Sequence, residues 1–389
     1  MSIYTDKHGF SDMRINDGHW HCTMHRPIEE TLSLVKKETE YLGLDKIAVL
    51  SYEHASDLGI DNSNNLKALY IKDNGDGKIF SFAAIVHYGD ERDNAGEFLR
   101  QAKLYYELGF DGIKILEGKT DYHEKFNCKF DSEKYEPMFN FLEEKEFPLV
   151  IHVAHFIAFP NPESEKKREE IQTELLNVLK RHPRLKITFA HMFNMAHDRE
   201  RLTRIMETYP NVSVDLALGG DFIIRFSKDT DGWREFFTKF SDRVIYGTDT
   251  YNSRFTEDDD FEIVTRHTPV RKFFESKEPF TATYYDLNPE IYGENVVLNP
   301  ALLPENIVND IYINSFIKAF GETPRPTDKE KALRYCEKIL EGYRNGELKS
   351  CLIKDLPPWL APEVLENAKR ENELALENIS VIRKFYSEH

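Results

Sequence analysis

Eight short runs of apolar and β-branched residues recur along the first 250 residues at nearly even spacing. Successive runs start 27 to 37 residues apart, at residues 13, 46, 79, 112, 149, 185, 212 and 244. The segments between them are long enough for helices and carry apolar residues at three- and four-residue spacing, as in Phe98, Ala102 and Tyr105. Strands that alternate with helices in this way are typical of βα units in a parallel sheet. Eight such units predict an α/β fold of the (β/α)8, or TIM-barrel, class.

The main alternative is a doubly wound open sheet. That fold usually carries a phosphate-binding glycine motif, but no GxGxxG follows the first run and no GxxxxGK[ST] occurs in the chain. Two helix-to-strand junctions also resemble each other, around Gly43 and Gly109, as expected for repeated βα units. The barrel is therefore the favoured fold.

The pattern changes after the eighth run. Residues 250–303 are rich in acidic and aromatic side chains, which predicts a long loop that covers the mouth of the barrel. A helix is predicted to begin after Pro304 and to end at Gly321. Residues 322–389 are charged and helix-rich, so we expect a barrel domain over 1–321 and a C-terminal helical extension. The extension would pack on the barrel or on a neighbouring subunit of a homo-oligomer.

Charge and composition narrow the possible partners. The chain has 389 residues, and its 51 basic and 68 acidic side chains give a net charge of −17. That charge disfavours nucleic acid or an anionic membrane as a partner and leaves a small-molecule substrate. There is no apolar run of about 18 residues and no signal-peptide pattern, and four widely spaced cysteines form no CxxC pair. We expect a cytoplasmic protein.

The first strand leads into a possible metal-binding pair, His19 and His21. Residues two apart on a strand share a face, so both imidazoles would point to the mouth of the barrel, where barrel enzymes keep their active sites. Imidazole suits zinc and its neighbours. The alternative is a pair of hydrogen-bonded histidines without metal.

Further candidate ligands end other strands. His152 follows the fifth run, His191 the sixth and Asp249 the eighth. Three histidines or carboxylates with one open position are typical of catalytic zinc. Together these residues predict a divalent metal site.

In order and strand placement, these motifs resemble the amidohydrolase superfamily, and most closely its amidohydrolase-related (type 2) branch, over residues 13–321. That branch contains metal-dependent hydrolases, lactonases and non-oxidative decarboxylases. The resemblance implies that His19, His21 and His152 bind a divalent metal, often zinc, and that Asp249 completes or flanks the ligand shell. It also implies that His191 orients or polarises the substrate.

Two cations are candidates for substrate binding. Lys114 lies between Ile113 and Ile115 and so faces into the barrel, where it would pair with a site carboxylate or with the substrate. In binuclear members of the superfamily a strand-four lysine is carboxylated and bridges two metals, but the type 2 branch is mainly mononuclear, so we expect one ion. Arg254 follows Asp249 and could clamp a substrate carboxylate; the alternative is a surface arginine.

The leading hypothesis is a metal-dependent hydrolase that attacks a small lactone, ester or amide, with a carboxylate on the substrate, through a metal-activated water. Asp249 would transfer the proton, and His191 would stabilise the developing oxyanion. The alternative is a metal-dependent carboxy-lyase that acts on a small aromatic or dienic acid. The ligand set argues against a third possibility, an inactive barrel that serves as a scaffold.

Overall fold

A computed structural model describes residues 2–22, 26–51, 63–154, 162–217, 219–251, 261–281, 296–345 and 361–388. Within these ranges the main sheet is a barrel of parallel strands surrounded by helices. The strands are β1 Ile15–Cys22, β2 Leu44–Ser51, β3 Ile79–Ala84, β4 Gly112–Ile115, β5 Leu149–Ile151, β6 Ile187–Phe189, β7 Val212–Asp215, β8 Val244–Ile245, β9 Thr250–Tyr251, β10 Phe280–Thr281 and β11 Val297–Leu298. The helices are α1 Ile3–His8, α2 Ile28–Leu42, α3 Ser63–Asp73, α4 Ala95–Leu108, α5 Thr120–Lys125, α6 Glu136–Glu144, α7 Pro162–Arg181, α8 Arg199–Thr208, α9 Gly219–Lys228, α10 Thr230–Phe240, α11 Phe261–Glu275, α12 Glu305–Asn309, α13 Ser315–Phe320, α14 Lys329–Asn345 and α15 Ala361–Glu388.

The sheet confirms the predicted (β/α)8 barrel. Its strands follow the order β8-β7-β6-β5-β4-β3-β2-β1-β9, and neighbouring strands pair in parallel. The eighth strand is split into two pieces, because β8 pairs with β7 whereas β9 pairs with β1. Two hydrogen bonds join the residues between these pieces to β1: Gly18 N donates to Tyr246 O and Asp249 N donates to His19 O, both at 2.8 Å. These contacts close the barrel.

Gly18 is required at this closure. A Cβ atom built on Gly18 would lie 2.5 Å from Ile245 Cγ2, far inside van der Waals contact. Only a residue without a side chain lets the first and last strands approach this closely.

Helix α13 supplies part of the barrel interior. Phe316 packs edge-on against Phe80 of β3, and Phe320 packs in the same way against Phe82, with ring centroids 5.0 and 4.8 Å apart. Ala48, Leu50, Val150 and Ile245 complete this buried cluster. As predicted, the helical segment begins after Pro304 and ends at Gly321, with a π-helical turn between α12 and α13.

The segment predicted as a long loop contains regular structure. Helix α11 occupies 15 residues of this segment, and β10 pairs with β11 in a small antiparallel sheet. Pro269 lies inside α11, and proline is a signal that usually argues against a helix interior. Burial of Val270, Phe273 and Phe274 stabilises the helix nevertheless. Residues 252–260 and 282–295 lie outside the described ranges, so the covering role of this segment stays a prediction.

The predicted helical extension is present as α14 and α15. These helices pack on each other, and α15 also packs on α3. The phenol of Tyr386 donates to Asp73 Oδ2 at 3.0 Å, and the rings of Tyr70 and Phe385 meet edge-on. None of the helices within the described ranges combines the length and the apolarity that crossing a bilayer requires.

Asn378 of α15 caps the first barrel helix. Its Oδ1 accepts a hydrogen bond from Ile28 N at 2.8 Å, and its Nδ2 donates to Arg26 O at 3.1 Å. Helix α2 lacks a capping side chain of its own, because Pro27 occupies its N-cap position. The extension therefore holds Arg26 and the first turn of α2.

We expect Asn378→Ala to lower the free energy of unfolding by about 1 kcal/mol, since it removes a buried helix cap. Urea denaturation would measure the change. Ser380→Ala, at an exposed position two residues further along α15, is the matched control and should leave stability unchanged. Equal stability of the two variants would show that Asn378 does not support the barrel.

Candidate metal centre

Strand β1 delivers two histidines to the inside of the barrel. His19 and His21 lie within β1, which extends to Cys22, five residues beyond the end of the apolar run that predicted the strand. Trp20 between them faces outward and donates to Glu38 Oε1 of α2 at 3.1 Å. The alternation of the strand therefore places both imidazoles on one face, as predicted.

Asp249 lies directly against this pair. The Nε2 atoms of His19 and His21 are 3.1 Å apart, and Asp249 Oδ1 lies 3.3 Å from the first and 2.9 Å from the second. His19, His191 and Asp249 also form a buried group whose candidate ligand atoms all lie within 4.8 Å of one another. Residues from β1, from the turn after β6 and from between β8 and β9 thus converge on a group that could hold a metal ion.

His191 links this group to His152. His191 Nε2 lies 3.0 Å from His152 Nδ1, and the ring of His191 also lies beside that of His19, with centroids 5.2 Å apart. His191 therefore lies close enough to His19 and Asp249 to bind the same ion. The division of roles between His152 as a ligand and His191 as a substrate-orienting residue stays a prediction.

Each of the four imidazoles has one nitrogen facing an acceptor outside the cluster. His19 Nδ1 faces Asp215 Oδ2 at 2.7 Å, and His152 Nε2 faces Ala154 O at 2.7 Å. His21 Nδ1 and His191 Nδ1 face the carbonyl oxygens of Leu50 and Ala217, each at 3.3 Å. Carbonyl and carboxylate oxygens only accept, so these nitrogens carry the proton, and in a neutral imidazole the other nitrogen is then a bare lone pair.

The nitrogens that face one another are therefore all acceptors. The Nε2 lone pairs of His19 and His21 meet the Asp249 carboxylate, and the His152 and His191 lone pairs also face each other. These acceptors cannot form hydrogen bonds with one another, and they repel one another unless a cation lies among them. Lys114 supplies one positive charge, with Nζ 3.3 Å from His19 Nε2. The donor set of imidazole nitrogens and a carboxylate oxygen fits a divalent metal.

Burial keeps the imidazoles in the form that binds metal. It lowers the pKa of His21 and of His191 to about 4 and holds the pKa values of His19 and His152 well below the usual range. At neutral pH the ligands therefore need lose no proton before they bind a metal.

Asp215, at the end of β7, is a site residue that sequence reasoning missed. Besides facing His19 Nδ1, it accepts hydrogen bonds through Oδ1 from His191 N at 2.7 Å and Ala217 N at 3.2 Å. A signal was present, because an acidic residue that ends the seventh apolar run occupies the same kind of position as Asp249.

The backbone at His191 adopts an uncommon conformation. His191, Met192, Phe193 and Asn194 all have φ between 52° and 59°, in the left-handed region. This region costs a non-glycine residue about 1 kcal/mol or more. Asn194 Nδ2 donates to Val153 O at 2.6 Å, and Phe193 stacks on Phe189 with centroids 3.8 Å apart. These buried contacts offset the cost, and the contact of His191 Nδ1 with Ala217 O orients the ring.

The structure describes one of the two cations that the sequence predicted to bind substrate. Lys114 points into the barrel, as predicted, and burial lowers its pKa to about 8. Arg254 lies outside the described residues. A different arginine, Arg266 of α11, reaches the site, where Nη1 donates to Asp249 O at 2.7 Å and lies 3.4 Å from Asp249 Oδ2. No local pattern in the sequence marks Arg266, because only the fold brings α11 to the end of the split strand.

A family model described as Amidohydrolase matches residues 32–272, which is more than half of the chain. Among the curated proteins, none matches the chain.

Several solved structures are similar to this one. An uncharacterised TIM-barrel protein from Bordetella bronchiseptica is 11% identical, with a TM-score of 0.50, over 79% of this chain and 98% of that one. A dihydroorotase from Campylobacter jejuni is 14% identical, with a TM-score of 0.42, over 79% and 83% of the respective chains. The apo form of IDCase from Metarhizium anisopliae is 13% identical, with a TM-score of 0.46, over 79% and 97%. At this level of similarity, the first of these shows the barrel fold alone.

From the contacts of Asp215 we predict how its replacement changes the affinity of the site for zinc. An amide in its place can still accept through one oxygen, but it cannot serve both His19 and the backbone of His191. We expect Asp215→Asn to weaken zinc binding about 10- to 100-fold, the usual effect of losing a partner of a metal ligand.

Competition with a chromogenic chelator would measure the affinity. Asp242→Asn is the control, because Asp242 is a half-exposed carboxylate that pairs with Lys318 far from the cluster. Unchanged zinc affinity in a folded Asp215→Asn variant would contradict the orienting role of Asp215.

Proposed function

Because the chain belongs to the amidohydrolase family, we propose that it is a metal-dependent hydrolase that cleaves a small lactone, ester or amide with a carboxylate on the substrate. Family membership supports an enzyme of the hydrolase or related decarboxylase type. The observation that carries the finer proposal is the set of inward-facing acceptors contributed by His19, His21 and Asp249.

In the proposed site, His19, His21 and His152 hold the metal, and Asp249 completes or flanks the shell. When bound, a divalent metal such as zinc lowers the pKa of a water molecule to about 7 and polarises a carbonyl oxygen. Asp215 and the carbonyl oxygen of Leu50 fix the rings of His19 and His21, so that both Nε2 lone pairs stay directed at the site.

Asp249 is the proposed proton carrier. Its pKa lies well below the usual range, so its carboxylate is ionised at neutral pH and can accept a proton at Oδ1. Arg266 binds the backbone oxygen of Asp249 and steadies this position. The same carboxyl group would then deliver the proton to the leaving group.

Lys114 is the best-placed donor for negative charge on the substrate. His191 donates Nδ1–H to Ala217 O, so its Nε2 is an acceptor in the neutral ring and suits a ligand or a base better than an oxyanion donor. The Lys114 ammonium lies beside His19 and can donate to an oxygen that becomes negative during the reaction. We therefore assign to Lys114 the stabilisation of the developing oxyanion, a role that the sequence predicted for His191.

Metal analysis combined with a substrate screen tests the proposal. We expect purified protein to bind about one equivalent of zinc and to hydrolyse members of a panel of lactones, esters and amides. Loss of activity on chelation and its return with zinc would support a hydrolase. Release of carbon dioxide from aromatic or dienic acids, without hydrolysis, would instead identify a carboxy-lyase.

We expect His19→Ala and His21→Ala each to weaken zinc binding by at least about tenfold, since each removes an inward-facing lone pair. Loss of a residue that only hydrogen-bonds to a metal ligand already weakens binding by about that factor. Chelator competition is the measurement, and His8→Ala, in α1 outside the cluster, is the control. Full zinc affinity in both site variants would place the ligands elsewhere.

We expect Asp249→Asn to lower kcat about 10²- to 10⁴-fold, because an amide cannot accept the proton that the carboxylate accepts. Zinc content must be measured on the same samples. Lost turnover with zinc retained identifies a proton carrier, whereas loss of both identifies a ligand. Normal zinc content with near-normal kcat would remove Asp249 from the mechanism.

A further inference from the structure

Strand β1 bulges at the position of its first candidate ligand. Asp17 lies opposite Ile47 of β2, and Trp20 lies opposite Val49. Two residues of β1 therefore stand where β2 has one, and His19 is one of the two. A bulge of this kind changes the direction in which a side chain points and is common beside active sites. Whatever holds the bulge in place also directs the imidazole of His19.

The buried carboxylate of Asp17 holds this bulge. Its Oδ1 accepts a hydrogen bond from His19 N at 2.9 Å. The same oxygen accepts from Thr248 N at 3.2 Å, and Oδ2 accepts from the Thr248 hydroxyl at 2.6 Å. Thr248 immediately precedes Asp249, so one side chain fixes the backbone beside two candidate ligands, His19 and Asp249.

The directions of these hydrogen bonds explain why a carboxylate occupies position 17. The amide and the hydroxyl of Thr250 both donate to Thr248 Oγ1, so the proton of the Thr248 hydroxyl points to Asp17. Asp17 therefore meets three donors, and all three are neutral groups. An amide in its place would direct its own N–H at one of these donors in either orientation. Burying a carboxylate among neutral donors is costly, and a neutral residue could close the sheet without that cost.

We propose that Asp17 is a positioning residue that sets the separation of His19 and Asp249 and thereby the affinity of the site for its metal. This inference rests on the proposed function and deepens it. The carboxylate ties the bulge of β1 to the residue before Asp249, and His19 Nε2 and Asp249 Oδ1 are held 3.3 Å apart across the junction of the first and last strands. Asp17 acts through these two residues and is not itself a ligand.

Zinc affinity of the full-length protein, measured by chelator competition, tests this assignment. We expect Asp17→Asn to weaken zinc binding about tenfold, the lower end of the usual effect of losing an outer partner of a metal site. Thr248→Val removes the hydroxyl that donates to Asp17 and should have a similar effect. Thr248→Ser keeps the hydroxyl and should bind zinc as the wild type does.

The double variant Asp17→Asn/Thr248→Val tests whether the two residues act through their shared contact. We expect it to bind zinc within about twofold of either single variant, because effects at one contact are not additive. Independent effects would instead multiply to a loss of about a hundredfold, and that result would overturn the proposal.

Thermal melting of the zinc-free variants separates positioning from stability. Thr31→Val is the matched control, because it removes a buried hydroxyl of the outer helix α2 that donates to Pro27 O at 3.1 Å. It should lower the melting temperature without changing zinc affinity. A folded Asp17→Asn variant that melts early but binds zinc normally would overturn the proposal. If Asp17→Asn does not fold, equal zinc affinities of Thr248→Val and Thr248→Ser would overturn it.

The outcome for Asp17 is separable from the outcome for the proposed function. If the variants lose zinc affinity as expected but the wild type hydrolyses no substrate, the positioning role stands and the assigned reaction is wrong. If zinc binding and hydrolysis are found but the Asp17 and Thr248 variants bind zinc normally, the reaction stands and the assignment of Asp17 is wrong. A wild type that binds no zinc would overturn both.

Discussion

The arrangement of the site depends on one buried carboxylate, Asp215. It ties three strands together, because it ends β7, faces His19 of β1 and accepts from the backbone of His191 after β6. Its hydrogen bond decides which nitrogen of His19 is protonated and so leaves Nε2 free to act as a ligand. It also anchors the first residue of the left-handed turn. Burying a carboxylate is costly, and here N–H groups from three residues offset that cost.

Much of the fold and part of the site could be predicted from the sequence, because both follow from short-range patterns. Apolar runs at regular spacing specify the strands, and polar residues at their carboxyl ends specify the mouth of the barrel. This reasoning located His19, His21 and Asp249, which the structure brings together. It misjudged the extent of β1, because Asp17, Gly18, His19 and His21 interrupt the apolar pattern of the strand. A strand that lines a polar site carries ligands where an ordinary strand carries apolar residues.

The remaining features could not be predicted because they depend on contacts between distant segments. Asn378 caps a helix that begins 350 residues earlier, and Arg266 reaches Asp249 only because α11 packs across the end of the split strand. The left-handed turn at His191 contains no glycine that would indicate this conformation in the sequence. In each case the information lies in the tertiary fold rather than in any local window.

The split eighth strand places the closure of the barrel and the candidate centre at the same junction. Within the part of the chain that the structure describes, two residue pairs join β9 to β1, so local opening of the sheet is easiest at this seam. His19 stands on one side of the seam and Asp249 on the other. An ion held by both would cross-link the first and last strands. Metal binding would therefore make local opening of the barrel less frequent, and loss of the metal would make it more frequent. Slow exchange of the Gly18 and Asp249 amide hydrogens would then report an intact centre as directly as any assay of turnover.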